Sequence, residues 1–167
     1  MKLTRILALL ISFIAPFAAL AETLGSPTGP VILTVSGNIS KTNALEMAQF
    51  DMAMLDALPG RETIIETPWY DGTRRFEGPL LAEILSAVGA VGQTVKVTAL
   101  NDYSAEMPFN DAIDYPVILA LRIDGDLIPV RSKGPGFIIY PFDEEPSLYN
   151  EMIFGRSVWQ VTKIEIF

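Results

Sequence analysis

Apolar and polar positions along the chain alternate or recur in short runs, and those runs predict its elements. Residues 31–35 are β-rich and end at the turn signal Gly37-Asn38, and residues 45–50 continue as a second strand. Asp51 is an N-cap for a short helix over residues 52–58, which Pro59-Gly60 ends. Residues 62–67 alternate as a strand, and Thr67-Pro68-Trp69-Tyr70-Asp71-Gly72 reads as a loop. Gly78-Pro79 opens the clearest helix, because proline is favoured at the first helical position. Leu80, Leu81, Ile84, Leu85 and Val88 fall at helical spacing within it, and Gly89 closes it.

Beyond that helix the signals return to strands. Residues 94–100 alternate, Asn101-Asp102-Tyr103 turns, residues 106–109 are extended and residues 110–114 form one helical turn. Residues 117–123 and 127–130 flank Asp124-Gly125, a hairpin signal. Residues 137–140 read as a buried strand, residues 146–154 as a helix and residues 158–167 as a last alternating strand. The fold class expected is α+β, with a mixed, mostly antiparallel sheet and short helices.

The first 21 residues stand apart. Lys2 and Arg5 precede an apolar run from Ile6 to Leu20, and Ala19-Leu20-Ala21 supplies the small-x-small pattern cut by signal peptidase. The run is shorter than the roughly 20 residues a spanning helix needs. The organisation expected is a signal peptide over residues 1–21, an aperiodic leader over 22–30 and one domain over 31–167. The mature protein is then periplasmic or secreted, with no stable membrane insertion after cleavage. Composition narrows the chemistry. The 167 residues include no cysteine and no histidine, and the net charge is −8. Serine–histidine triads, cysteine nucleophiles, zinc fingers and disulfides are excluded. The acidic balance argues against a nucleic-acid partner, which needs a basic face.

Thr67-Pro68-Trp69, Gly78-Pro79-Leu80-Leu81, Ala99-Leu100-Asn101-Asp102-Tyr103 and Lys133-Gly134-Pro135 occur in an order and spacing that resemble the molybdopterin-binding domain of sulfite-oxidase-like oxidoreductases. The chain is similar, more closely, to small exported bacterial proteins that keep only this domain. The resemblance runs from about Gly37 to Phe167 and implies a sulfite-oxidase-like fold that holds a pyranopterin over one edge. It also implies a molybdenum-ligating cysteine near Glu66 and Thr67, and an arginine after the Gly-Pro segment, where this chain has Phe137. The histidine and arginine that bind the pterin phosphate in catalytic members also lose their histidine here. A soft thiolate has no equivalent among hydroxyls and carboxylates. The expectation is therefore no catalytic residue, no metal ligand and no bound cofactor.

Candidate binding residues are Trp69, Arg74, Arg75, Asn101, Asp102, Tyr103, Arg131 and Lys133. Arg74-Arg75, read on a loop over the pocket, can hold an anion through a guanidinium or stand as a solvated pair. Trp69 can stack on a planar ligand or plug a core edge. Asn101-Asp102-Tyr103 can shape the pocket or simply form an Asx turn. Arg131 and Lys133 can complete a basic patch with Arg74 and Arg75. Asp143-Glu144-Glu145 reads as a solvated acidic loop with divalent-cation binding as the alternative, and Asp124-Gly125-Asp126 as turn chemistry. Three functions remain open. They are a non-catalytic domain that binds a small anionic ligand or an envelope partner, a molybdopterin-dependent oxidoreductase with an atypical first shell, and a structural or sensor-associated envelope subunit.

Overall fold

The computed structural model describes residues 24–167, so the signal-peptide expectation lies outside the described residues. Strand β1 (Leu33–Gly37) alternates buried and half-buried positions and pairs antiparallel with β2 (Met47–Phe50). The second strand starts two residues later than the pattern predicts, because Glu46 takes a left-handed φ of 55° that breaks the extended run. Asp51 caps α1 (Met52–Asp56), accepting from the Met54 N–H at 2.9 Å. Its other carboxylate oxygen accepts from the N–H groups of Thr28 at 2.7 Å and Gly29 at 2.8 Å, which ties the leader to the sheet. These three backbone donors pull the Asp51 carboxyl down from 3.8 to about 2.

Strands β3 (Gly60–Thr67) and β4 (Tyr70–Pro79) form a long antiparallel hairpin that turns at Pro68-Trp69. Two expectations are corrected here. Residues 67–72 are a tight turn followed directly by strand, and Arg74 and Arg75 lie on β4 rather than on a loop. Gly78-Pro79 does not open a helix either. It remains extended because Gly78 pairs with Arg61 and Pro79 with Gly60, so α2 begins only at Leu81 and runs to Ala87. Gly78 is required there, since a Cβ would strike the Leu119 carbonyl. Helix α2 buries Leu81, Ile84 and Leu85 in the common core.

Strands β5 (Thr94–Ala99) and β6 (Ser104–Pro108) pair antiparallel, and α3 (Phe109–Asp114) follows. The single hairpin predicted over 117–130 divides at Leu121. Strand β7 (Ile118–Ala120) is wholly buried and leaves for another partner, while β8 (Arg122–Ile123) and β9 (Asp126–Leu127) keep the predicted turn at Asp124-Gly125. Both turn residues have positive φ, 55° and 92°, as a two-residue hairpin loop of right-handed twist demands. Strand β10 (Phe137–Ile139) pairs with β7. The helix predicted over 146–154 is two pieces, a 3-10 turn Pro146–Leu148 and α4 (Glu151–Arg156). Asn150 caps α4 by accepting from the Ile153 N–H at 3.1 Å. The final strand, β11 (Val161–Ile166), starts beyond Gln160, whose φ is 56°.

The result is α+β, mostly antiparallel. A five-stranded sheet runs β2-β1-β11-β5-β6, with only the β1–β11 contact parallel, and beside it lie a four-stranded sheet β3-β4-β8-β9 and the β7–β10 pair. The buried apolar side chains of these sheets and helices form one contiguous cluster. Burial of that size is the main term holding the fold together. Among the described residues no helix is long and apolar enough to cross a membrane.

Candidate functional site

A groove of about 370 Å³ opens where the β3–β4 turn, the end of β5 and the segment between α4 and β11 meet. Trp69, Asn101, Tyr103, Phe154 and Trp159 line it, with Gly155 and Ser157 in its floor. The rings hold one another edge to face around buried Phe137. Trp69 lies 5.1 Å from Phe137 and 5.6 Å from Phe154, and Phe137 lies 6.2 Å from Trp159. Such pairs add packing energy beyond area alone and fix ring directions. Tyr103 is 54% exposed and Trp159 is 41% exposed, so both offer ring surface to solvent at the rim.

Local chemistry explains the wall at Asn101. Its side-chain oxygen accepts from the Tyr103 N–H at 3.1 Å, and Asp102 takes a φ of 64°, so the Asx turn exists and also presents Tyr103 to the groove. The Tyr103 hydroxyl reaches across to donate to the Gly155 carbonyl at 3.4 Å. On the far side, Ser157 Oγ donates to the Ile153 carbonyl at 3.0 Å, closing the last turn of α4.

The sequence candidates divide among several places. Trp69, Asn101 and Tyr103 share the groove, and Asp102 is exposed at the turn beside them. Arg74 faces a second pocket of about 340 Å³ with Tyr70 and Ser132, and it donates to Asp124 at 3.0 Å. Arg75 pairs with Glu62 at 3.3 Å and Glu77 at 3.2 Å. Arg131 is exposed and lines neither pocket. The four basic residues therefore do not merge into one patch. Lys133 sits between the two pockets, its ammonium 4.7 Å from the Tyr70 ring centre and 5.8 Å from that of Trp159. That is cation–π range. Burial raises the Tyr70 phenol above its ordinary pKa, with Ser132 and Arg74 pulling it partway back.

Phe154, Trp159, Tyr70 and Ser132 were not among the sequence candidates. Trp159 carried the one usable signal, as a tryptophan between Val158 and Gln160 at the start of an alternating run. Asp143, in the acidic loop, is engaged by Arg61 at 2.7 Å and by the Thr63 hydroxyl at 2.7 Å. Among the described residues no cluster of three or more acidic side chains is arranged to hold a metal ion.

The residues do not fit the thiolate-ligated molybdenum centre that the resemblance implies. At the corresponding stretch of β3 the donors are the Thr67 hydroxyl, turned inward, and the Glu66 carboxylate, exposed on the opposite face. Both are hard oxygen donors and they point apart. Phe137 is wholly buried beneath the two indoles, so no cation can reach the groove from its position. Comparison with known protein families finds no match, and comparison with curated proteins finds none either.

Proposed function

We propose that this chain is an exported, non-catalytic binding domain of sulfite-oxidase-like type that takes a small, flat, largely apolar ligand in the groove between Trp69, Tyr103 and Trp159. The observation that carries the reading is the ring of four aromatic side chains around a cavity of ligand size, with a few fixed polar groups. The two hydroxyls in the groove, of Ser157 and Tyr103, are spent on the Ile153 and Gly155 carbonyls, and no paired acid and base lines it. Catalysis through molybdopterin would need a thiolate on the metal that the Thr67 hydroxyl and the Glu66 carboxylate do not replace, so the cofactor expected is none. After cleavage of residues 1–21 the domain works in the periplasm or outside the cell.

Direct binding tests the reading, since both tryptophans of the chain flank the groove and each can be removed by itself. Calorimetric titration with indole is expected to saturate, and Trp69→Ala and Trp159→Ala should each weaken the affinity. A response that either variant leaves intact counts against the groove. Elemental analysis of protein made in a molybdenum-competent host is the companion test. About one molybdenum per chain would favour the oxidoreductase.

A second reading has its own observation. Leu100, Val130 and Trp159 are exposed and adjacent, joined through Gln160, whose carbonyl accepts from Leu100 N at 2.8 Å and whose amide donates to the Val130 carbonyl at 2.6 Å. An apolar rim of this kind also suits an envelope protein, including a sensor, that inserts an aromatic side chain into the groove. Crosslinking from Leu100 in the producing cell separates a protein occupant from a small molecule.

A further inference from the structure

The second pocket holds a polar arrangement that the groove reading does not use. The Tyr70 hydroxyl and the Arg74 Nε–H are both buried atoms that complete no hydrogen bond of good geometry among the described residues, although the Ser132 hydroxyl lies near enough to the Tyr70 phenol to pull its pKa down. Both residues line the same pocket, and Ser132 adds a third hydroxyl to it. Buried donors are almost always satisfied, and an unsatisfied one costs more than an ordinary hydrogen bond returns. Two such donors on residues that line one cavity point to an acceptor there. The Lys133 ammonium lies over the Tyr70 ring at 4.7 Å and makes no ion pair among the described residues. Arg74 spends Nη1 on Asp124 at 3.0 Å and keeps its Nε–H uncommitted. Asp126, on the rim, is the pocket's one lining carboxylate, and it is exposed to water.

We propose that this pocket is an oxyanion site, in which Tyr70 Oη, Arg74 Nε and Ser132 Oγ donate to one tetrahedral or planar anion while Lys133 supplies charge from above. The chemistry is that of sulfate, phosphate or a carboxylate. Two sources satisfy it, a free inorganic anion or the acidic end of the molecule whose flat body lies in the groove. Lys133 spans the gap between them, over Tyr70 on one side and Trp159 on the other. The site does not depend on the groove being occupied, so either proposal can fail without the other.

The experiment titrates sulfate, indole-3-carboxylate and neutral indole into the mature protein at constant ionic strength. Calorimetry follows binding, with chloride as the control. Saturable sulfate binding at low millimolar concentration supports a free anion. Indole-3-carboxylate that binds where sulfate does not, and more tightly than indole, supports an anion brought by the ligand. Tyr70→Phe removes one hydroxyl and nothing else, and Arg74→Lys keeps the charge while losing the planar Nε–H. Each is expected to weaken the anion about tenfold, the effect of one hydrogen bond to a charged group, and to leave indole unchanged. Anion affinity equal to wild type in both variants overturns the site, as does the absence of any anion response in the unaltered protein.

Discussion

Asp111, Tyr140 and Arg156 offer the most demanding test of how the core is held. Tyr140 is wholly buried, and its phenol donates to Asp111 Oδ2 at 2.7 Å. Arg156 Nη1 donates to the same oxygen at 2.9 Å. The side chains of Asp111 and Arg156 are only 12% and 22% exposed, so the carboxylate is satisfied largely by these two donors. Tyr140→Phe keeps the ring and leaves the ion pair intact, and should cost about 1–2 kcal/mol for one hydrogen bond to a charged acceptor. Asp111→Ala strands a buried phenol and a mostly buried guanidinium together, and should cost about 3–4 kcal/mol. The double variant should cost less than the sum by about 1 kcal/mol or more, because the phenol has no partner left to lose.

Urea unfolding followed by circular dichroism measures all three variants, provided the slope with denaturant stays constant. In a domain of this size each kcal/mol also lowers Tm by about 2–4 °C. Costs that add to within about 0.3 kcal/mol would mean that the shared oxygen is not the link, and the reasoning would fail. Alkaline pH gives an independent check. Burial, and then Asp111, push the Tyr140 phenol well above its ordinary value. Its contribution is therefore complete below the unfolded value of about 10 and is lost as pH rises above it.

Four further outcomes follow from other parts of the molecule. Leu85→Ala, which empties a fully buried position on α2, should cost about 2–5 kcal/mol in the same assay, and a loss under about 0.5 kcal/mol would place that face outside the core. The Asp51 carboxyl, held at about 2 against an ordinary 3.8, contributes stability above about pH 4 that fades as pH falls toward 2, and Asp51→Asn should remove that slope from an acid titration of Tm. Gly78→Ala should destabilise far more than an exposed glycine such as Gly25→Ala, because its methyl meets the Leu119 carbonyl, and equal melting temperatures would refute the close approach. N-terminal sequencing of the exported protein should begin at Glu22, and an intact Met1 would defeat the export reading.

Legibility in the sequence tracks how locally each feature is determined. Asp51, Asn101 and Asp124-Gly125 close their hydrogen bonds or turns within two or three residues, so residue type alone reveals them. Gly78-Pro79 misleads because its conformation is set by Gly60 and Arg61, far back in the chain. Val117 to Val130 reads as one hairpin because nothing near Leu121 announces that β7 pairs with β10. The candidate site follows the same division. Trp69, Asn101 and Tyr103 stand on turns that composition marks. Phe154 and Trp159 reach the groove only through the docking of α4 and the Phe137–Trp159 bridge, which are tertiary facts. The basic residues misled for a related reason. Charge in a sequence has no direction, and strand alternation sent Arg74 and Arg75 to different carboxylates.

The place of β11 between β1 and β5 has a consequence for how the molecule comes into being. Until that strand arrives, the five-stranded sheet exists only as two separate ribbons, β1–β2 and β5–β6, and an isolated two-stranded ribbon is at best marginally stable in water. The strand that welds them follows all four of their strands in the chain, so it is synthesised after them. A growing chain therefore carries two unpaired strand edges until β11 is made and cannot commit to its native topology early.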